Sequence, residues 1–215
     1  MQSELPKQFM LLLDLPILMH TIEHFLWAYE DIEVVLVLPK EQIPFWKNLC
    51  VQMDFHVDHQ IVEGGETRFH SVKNGLAACP DDGLVAIHDG VRPMVTPELI
   101  QKCFDAAEEH SSALPVVPIT QSLRTVNGDQ SSPMSREGVV AVQTPQCFQL
   151  APLKAAFDVE YNESFTDDAT VFEAAGHTIH LVDGEATNIK ITTPDDLKLA
   201  EAVLGGGPDA KKKKK

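Results

Sequence analysis

The sequence has few of the residues that mark several common classes of protein. Its cysteines are widely spaced and form no Cys-x-x-Cys pair. This spacing argues against a disulfide framework or a zinc site, and it favours the reduced thiols of the cytoplasm. No apolar run approaches the length of a membrane span, and no signal peptide opens the chain. We therefore expect a cytoplasmic protein that has no membrane partner.

Basic residues are scarce as well. The 17 lysines and arginines include the terminal run Lys211–Lys215, so the rest of the chain carries 12 of them against 32 acidic residues. Such a surface repels the nucleic-acid backbone and anionic lipid, so neither is expected as a partner. A phosphorylated small molecule can still bind where a few cations converge.

What the sequence does contain is a regular alternation of strand-like and helix-like segments. The β-branched run at 32–39 predicts a buried strand, the apolar stripe at 16–30 predicts a helix, and Thr96-Pro97 is typical of a helix start. Short links between such segments predict a Rossmann-like α/β fold, with a mainly parallel sheet flanked by helices. We expect one domain at 1–204 and a flexible tail at 205–215.

The segment at 119–143 breaks this alternation. It is rich in turn-forming residues, and Asn127-Gly128 lies between two short alternating stretches, which is typical of a tight hairpin. The segment therefore predicts a β-ribbon that protrudes from the domain. Because an isolated ribbon would expose its strand edges and residues such as Val139 and Val142, we expect it to be the dimerisation arm of a homodimer.

The stretch LVAIHDGVRPMV at 84–95 predicts a buried strand that ends in charged residues. In an open α/β sheet the ligand lies beyond the carboxyl ends of the strands, where Asp89 would meet it. A charged, solvated turn is the alternative. We interpret His88 as structural and Arg92 as a support for the loop, with direct substrate contact as the less favoured role of Arg92.

Six motifs along the chain together resemble one family, the 2-C-methyl-D-erythritol 4-phosphate cytidylyltransferases of the non-mevalonate isoprenoid pathway. They are ELPKQF, EGGETRFHSV, HDGVRP, QTPQ, FTDDA and NIKITTPDDL. The resemblance covers nearly the whole chain, from Met1 to about Leu204. It implies a Mg²⁺-dependent homodimeric enzyme that uses CTP. In one respect the chain departs from the family, because the N-terminal strand and glycine-rich loop that wrap the nucleotide phosphates are expected to be missing.

The chemistry of this reaction agrees with the residue types that are present. A phosphate monoester is already an anion near neutral pH, since its second pKa is about 6, so its attack on the α-phosphorus of CTP needs no general base. Catalysis then depends on holding two polyanions together and neutralising the charge that develops. Lysines, arginines and a magnesium ion serve this purpose, and a Ser-His-Asp triad or a carboxylate pair is not required.

The resemblance assigns a role to each matching residue. Lys7 and Lys190 are the expected catalytic cations, and Lys190 lies in an apolar setting where a lysine is costly unless it is paired. Asp89 is the expected Mg²⁺ ligand, because a hard carboxylate suits a magnesium ion that bridges phosphates. The remaining expected site residues are Gly64, Gly65, Glu66, Ser71 and Gly90 for the nucleotide, Ser122, Arg136, Thr144 and Thr166 for the acceptor, and Arg92 and Arg68 as supports.

Some of these residues have ordinary alternatives. Two glycines before a helix occur in many α/β turns, Glu66 stands where the family has an aspartate, and Arg136 is equally typical of a solvated arm. Asp167 and Asp168 are interpreted as first-turn helix carboxylates.

Other functions stay open at this point. A ribitol-5-phosphate cytidylyltransferase shares most of the motifs and the same chemistry. A sugar-1-phosphate nucleotidyltransferase would usually carry an extra domain. A catalytically inactive dimeric binding module is the alternative from another class, and the expected absence of the phosphate loop favours it.

Overall fold

The computed structural model describes residues 5–205, and helices and strands alternate over most of this range. The strands are β1 (Leu11–Leu12), β2 (Leu15–Pro16), β3 (Val35–Leu38), β4 (Gln60–Glu63), β5 (Leu84–Ile87), β6 (Ser112–Pro118), β7 (Leu123–Asn127), β8 (Gln130–Met134), β9 (Val140–Val142), β10 (Gln146–Gln149) and β11 (Leu181–Asp183). The α-helices are α1 (Ile17–Ala28), α2 (Ile43–Gln52), α3 (Arg68–Ala78), α4 (Pro97–His110), α5 (Leu150–Ala156), α6 (Asp168–Ala174) and α7 (Pro194–Gly205), and short 3₁₀ turns cover Lys7–Phe9 and Lys40–Gln42.

Side-chain caps fix the starts of the helices that border the site. Thr96 accepts a hydrogen bond from the backbone N–H of Leu99 and is followed by Pro97, as the sequence predicts for the start of α4. Thr67 caps α3 in the same way, and Asp167 caps α6. Each cap satisfies a backbone donor that the first turn of the helix leaves free.

The main sheet has the strand order β11-β6-β10-β5, and β9 pairs with β6 beside it. Strands β6 and β11 are parallel, but β10 runs antiparallel to both of its neighbours. The α/β class with flanking helices is therefore confirmed, and the sheet is mixed where the sequence predicts a mainly parallel one. The chain leaves β6 at its carboxyl end and returns from there, so β9 and β10 both enter the sheet in the opposite direction.

A deep cleft separates this sheet from the parallel pair β3–β4. Within the described residues, β3 and β5 form no strand pairing, and the space between them measures about 1010 Å³. Helices α1 and α3 give it an apolar lining. Arg68, Ser71 and Asp89 contribute to its walls beside the carboxyl ends of β3 and β5.

The ribbon predicted at 119–143 contains the antiparallel hairpin β7–β8. Its strands pair from Leu123 with Met134 at the open end to Asn127 with Gln130 beside the turn. Gly128 adopts a φ of +58°, which a glycine in this tight turn tolerates without a steric penalty. Val126, Val140 and Val142 of the arm are all exposed. An exposed apolar arm agrees with the dimerisation that the sequence predicts, which stays a prediction.

Two sequence predictions concern the ends of the chain. Helix α7 continues through Gly205, and the rest of the predicted tail lies outside the described residues. The expected absence of an N-terminal strand and glycine-rich loop concerns the region ahead of Met1, and residues 1–4 lie outside the described range, so this expectation stays a prediction. Among residues 5–205, no helix is long and apolar enough to cross a bilayer.

Candidate active site

Asp89 stands two residues after the end of β5 and lies at the carboxyl edge of the sheet, where the sequence predicts it. Its Oδ2 atom accepts a hydrogen bond from Arg92 Nε at 3.0 Å and lies 3.1 Å from Lys190 Nζ. The Asp89 side chain is 16% exposed, so the group is largely shielded yet open on one side. The strand therefore ends in an ion cluster that faces the cleft.

The charge state of Asp89 follows from its two cations. Burial alone would raise the pKa of this carboxyl, but the charge of Lys190 and the hydrogen bond from Arg92 outweigh burial, so the pKa lies below its ordinary value. Asp89 is consequently an anion near neutral pH. A carboxylate in this state can hold a cation or orient a lysine.

Buried polar groups fix the loop that carries Asp89. The hydroxyl of Thr144 accepts the Asp89 backbone N–H at 3.1 Å. Arg92 Nη1 donates to the carbonyl of Asn188 at 2.9 Å, and Asn188 Nδ2 donates to the carbonyl of Thr144 at 2.8 Å. Because Asn188 stands two residues before Lys190, the same network also positions that lysine.

His88 stands beside Asp89 as a half-buried, neutral ring. One ring nitrogen lies 3.0 Å from Thr144 Oγ1, and the other lies 3.2 Å from the carbonyl of Arg92. Burial lowers the pKa of His88 to about 4, although its hydrogen bond to the Arg92 carbonyl opposes this change. These contacts are the ones expected of a structural histidine.

This low pKa predicts an acid-sensitive fold. The unfolded chain takes up a proton on His88 as the pH falls through about 6.5, whereas the folded chain does so only near 4, so stability decreases on acidification. Between pH 7.5 and 5, we expect His88 to account for about 2 kcal/mol of lost unfolding free energy. Urea unfolding at both pH values should show a smaller loss in His88→Gln than in the wild type.

If His88→Gln does not fold, NMR titration of the wild-type ring replaces it, and protonation of His88 above pH 6 would contradict the prediction.

Lys7 reaches the same edge of the sheet from the N-terminal segment. Its Nζ donates to the carbonyl of Thr192 at 2.7 Å, and Thr192 lies two residues beyond Lys190. The intervening Ile191 donates its backbone N–H to the carbonyl of Val91 at 2.9 Å, which attaches this extended segment to the Asp89 loop. The structure thus ties both predicted catalytic lysines to one segment, with Lys190 paired to Asp89 and Lys7 bound to the Thr192 carbonyl two residues further on.

The predicted nucleotide loop is a tightly packed turn. Gly65 donates its N–H to Ser71 Oγ at 3.1 Å, and the Ser71 hydroxyl donates to the carbonyl of Thr67 at 3.0 Å. A Cβ atom on Gly65 would lie 2.3 Å from Cβ of His70, so this position requires glycine. Contacts of these residues with a cytosine base stay a prediction.

The other predicted nucleotide residues border the same region. A Cβ atom on Gly64 would lie 3.0 Å from Ser71 Oγ, and one on Gly90 would lie 2.9 Å from Leu18 Cδ1. Glu66 is exposed at the tip of the loop. The glycines therefore serve close packing, and their roles toward a nucleotide stay predictions as well.

The predicted acceptor residues fall into two groups. Thr144 is buried, and its hydroxyl already contacts His88 and the Asp89 loop, which favours a positioning role over direct contact with a substrate. Thr166 is exposed just before α6. Ser122 and Arg136 lie on the arm, where Arg136 Nη1 donates to the carbonyl of Thr120 at 2.5 Å. Their contact with an acceptor stays a prediction.

Several functional side chains were missed by sequence reasoning. Gln143, Gln146 and Asn188 are buried polar residues that support the Asp89 loop and the start of α6. The two glutamines flank Thr144-Pro145, and a pair of amides beside an apolar strand is the signal that would have indicated buried hydrogen bonding.

The arrangement as a whole suits a phosphorylated ligand. Lys190 and Arg92 pair with a single ionised aspartate, and Lys7 lies on the segment that adjoins Lys190. The described residues contain no group of three or more histidine, cysteine or acidic side chains placed to hold a metal. An α/β sheet with this edge defines an enzyme of the phosphoryl-transfer class, in which cations stabilise the charge of the transferred group.

Comparison with known proteins identifies the family. Residues 1–206 match the family described as 2-C-methyl-D-erythritol 4-phosphate cytidylyltransferase. The enzyme of that name from Bacteroides thetaiotaomicron is 50% identical over 204 residues, covering 95% of this chain and 93% of the relative. The chain belongs to the 2-C-methyl-D-erythritol 4-phosphate cytidylyltransferase family.

Solved structures agree with this assignment. The crystal structure of the enzyme from Thermus thermophilus has a TM-score of 0.76 and 34% identity, covering 93% of this chain and 94% of that one. The 4-diphosphocytidyl-2C-methyl-D-erythritol synthase from Anaerococcus prevotii has a TM-score of 0.79 and 28% identity, covering 92% of both chains.

Proposed function

We propose that the chain transfers CMP from CTP to 2-C-methyl-D-erythritol 4-phosphate, giving 4-diphosphocytidyl-2-C-methyl-D-erythritol and pyrophosphate. The observation that carries this proposal is the cluster of Lys190 and Arg92 on Asp89, with Lys7 on the adjoining segment. The family supports the main interpretation, and nothing in the comparisons favours ribitol 5-phosphate or a catalytically inactive module.

In this reaction an oxygen of the acceptor phosphate attacks the α-phosphorus of CTP. A new phosphorus–oxygen bond forms as the bond to pyrophosphate breaks, and pyrophosphate leaves with the bonding electrons. Lys190 is placed to neutralise charge on the α-phosphoryl oxygens, and Lys7 is placed to hold a second phosphate. Asp89, held by Arg92, orients Lys190, and the Thr192 carbonyl orients Lys7. No proton needs to be removed from the nucleophile.

We also propose Mg²⁺ as the metal, and the donor set fits it. Asp89 Oδ2 contacts both Lys190 and Arg92, while Asp89 Oδ1 accepts no hydrogen bond from the described residues. Magnesium is typically held by one or two carboxylates together with substrate phosphates and water, so a single aspartate oxygen is sufficient. When bound, the ion supplies positive charge to the triphosphate.

The acceptor half of the site is proposed to include the arm. The ribbon is exposed along both strands, and its valines would be covered in a homodimer. In that dimer the arm would bring Ser122 and Arg136 to an acceptor held near Thr166. The four free cysteines of the described chain agree with a reducing compartment, and we propose the cytoplasm.

Arg136→Ala should act on the acceptor. Losing a bidentate phosphate contact is expected to raise KM for methylerythritol phosphate about tenfold while KM for CTP stays unchanged. Steady-state rates with each substrate varied in turn measure both constants. Arg124→Ala is the matched control, because Arg124 lies on β7 of the same ribbon and donates to Ser131 across the hairpin. An effect confined to CTP would overturn the assignment.

The proposed function is tested by pyrophosphate release from CTP and Mg²⁺, with methylerythritol phosphate and ribitol 5-phosphate assayed in parallel. Release with methylerythritol phosphate alone is the expected result. Release with ribitol 5-phosphate alone would contradict the proposed acceptor. If the folded protein releases no pyrophosphate with either acceptor, the result would contradict the enzymatic function.

A further inference from the structure

An ion pair outside the Asp89 cluster joins two segments of the site. Arg68 is the first residue of α3, and Asp168 is the first residue of α6. Arg68 Nη1 donates to Asp168 Oδ1 at 2.8 Å, and Arg68 Nη2 donates to Asp168 Oδ2 at 2.5 Å. Two parallel hydrogen bonds of this kind hold a guanidinium in one orientation.

The two partners differ greatly in exposure. The side chain of Asp168 is 1% exposed, whereas that of Arg68 is 41% exposed. Burial raises the pKa of Asp168, and the Arg68 guanidinium opposes that rise. A buried ion pair adds little stability compared with well-packed apolar residues of similar size, so stability alone does not account for this pair.

The backbone on both sides of Asp168 is fixed by hydrogen bonds to its neighbours. Gln146 of β10 donates from Nε2 to Asp167 Oδ2 at 2.9 Å and accepts the backbone N–H of Ala169 at 2.9 Å. Asp167 in turn caps α6 through the N–H of Thr170. The start of α6 is therefore fixed to the sheet, and Asp168 can direct Arg68 without moving itself.

The exposed part of Arg68 faces the cleft. A guanidinium carries five N–H donors, and Asp168 occupies only two of them. Arg68 lines the cleft together with Ser71 and Asp89, and it is the one lysine or arginine among the described residues of that lining. A fixed cation with free donors, in a wall that has no other lysine or arginine among the described residues, is suited to an anion.

We propose that Arg68 binds a phosphate group of a substrate and that Asp168 is the residue that positions it. This inference rests on the proposed function, since it adds a contact to the same site. The phosphate belongs either to CTP or to the acceptor, because Arg68 lies near the nucleotide loop and its partner Asp168 follows Thr166 by two residues.

The decisive variant removes both charges, R68M/D168L. Because no buried charge is left without a partner, it should fold with a melting temperature within about 3 °C of the wild type or above it. Its kcat/KM for pyrophosphate release should nevertheless fall about 30-fold, which is the loss expected for a charged hydrogen bond. Wild-type kcat/KM for both substrates in the folded double variant would overturn the proposal.

Two single variants separate binding from positioning. Asp168→Asn keeps the Arg68 charge but loosens its orientation, and Arg68→Lys keeps a charge without the planar fork. Both should raise KM more than they lower kcat. A rise in KM for CTP alone assigns the phosphate to CTP, and a rise for methylerythritol phosphate alone assigns it to the acceptor. Unchanged KM values in both variants would count against the proposal.

Two further measurements keep the test independent of folding and of catalysis. In the wild type, the Arg68 side-chain NMR signal, assigned with Arg68→Lys, should shift on addition of either CTP or methylerythritol phosphate, and no shift with either would overturn the inference. If the wild type releases no pyrophosphate, the proposed function fails by itself. The inference is then judged by this signal and by calorimetric binding of each substrate.

Discussion

Replacing Lys190 with alanine should lower kcat/KM for CTP by about 10³-fold while the protein stays folded. The ammonium of Lys190 lies 3.1 Å from Asp89 Oδ2, and the side chain is 47% exposed. A fixed positive charge at this position stabilises charge that develops on the α-phosphoryl group in the transition state. Its removal is therefore expected to lower kcat more than it raises KM.

Folding should change little, because a half-exposed ion pair contributes about 1 kcal/mol or less. The backbone of the segment is held independently by the hydrogen bond from Ile191 to Val91 and by the Asn188 side chain. Initial rates of pyrophosphate release, together with a thermal unfolding curve, measure both quantities.

Lys198→Ala is the matched control for this variant. Lys198 lies on α7, is well exposed and pairs with Asp195 one turn away, so its removal should leave the rate unchanged. Lys190→Arg should recover part of the activity, because it restores the charge with a different shape. Near-normal turnover in Lys190→Ala would remove this lysine from the catalytic machinery.

Helices α1 and α4 could be predicted from the sequence because local signals determine them. Thr96 followed by Pro97 predicts the start of α4, and the structure places the cap and the first turn there. The segment at 16–30 likewise contains α1 at Ile17–Ala28. In both cases the cap or the apolar stripe lies within the segment itself, so neighbouring strands are not needed to predict it.

The direction of β10 could not be predicted from the sequence, because it depends on the path that the chain takes through the arm. A short apolar strand at Gln146–Gln149 has the same pattern whichever way it runs. Only the return of the chain from the ribbon places it antiparallel between β5 and β6. Helix α2 was also missed, because only Trp46 is fully buried on it and its apolar stripe is weak.

The candidate site was likewise predictable from the sequence only in part. Asp89 and Lys190 were predicted from motifs 101 residues apart, and the fold brings them into contact. Arg68 was predicted only as a support, since its partner Asp168 lies 100 residues away and reads as an ordinary first-turn carboxylate. Pairings across the fold are set by topology, which single motifs do not encode.

Asp89→Asn should lower kcat/KM about 10²-fold at a fixed magnesium concentration and raise the magnesium concentration needed for half-maximal rate. The amide removes the negative charge shared by Lys190 and Arg92, and the one oxygen that it keeps is a neutral and weaker ligand for the proposed metal. Because Arg92 is then left largely buried without its anion, we also expect the unfolding free energy to fall by about 2 kcal/mol. Metal titrations of the rate and urea unfolding measure the two effects separately.

These two effects distinguish ligation from positioning. If the magnesium titration is unchanged while stability falls, Asp89 orients the cations and does not bind the metal. Asp81→Asn is the control, because Asp81 is fully exposed and pairs with Lys154, so neither quantity should change. A double variant of Asp89→Asn with Lys190→Ala should lose little more activity than Lys190→Ala alone, since residues that act as one unit are not additive. Fully additive losses would mean that Asp89 and Lys190 serve different parts of the reaction.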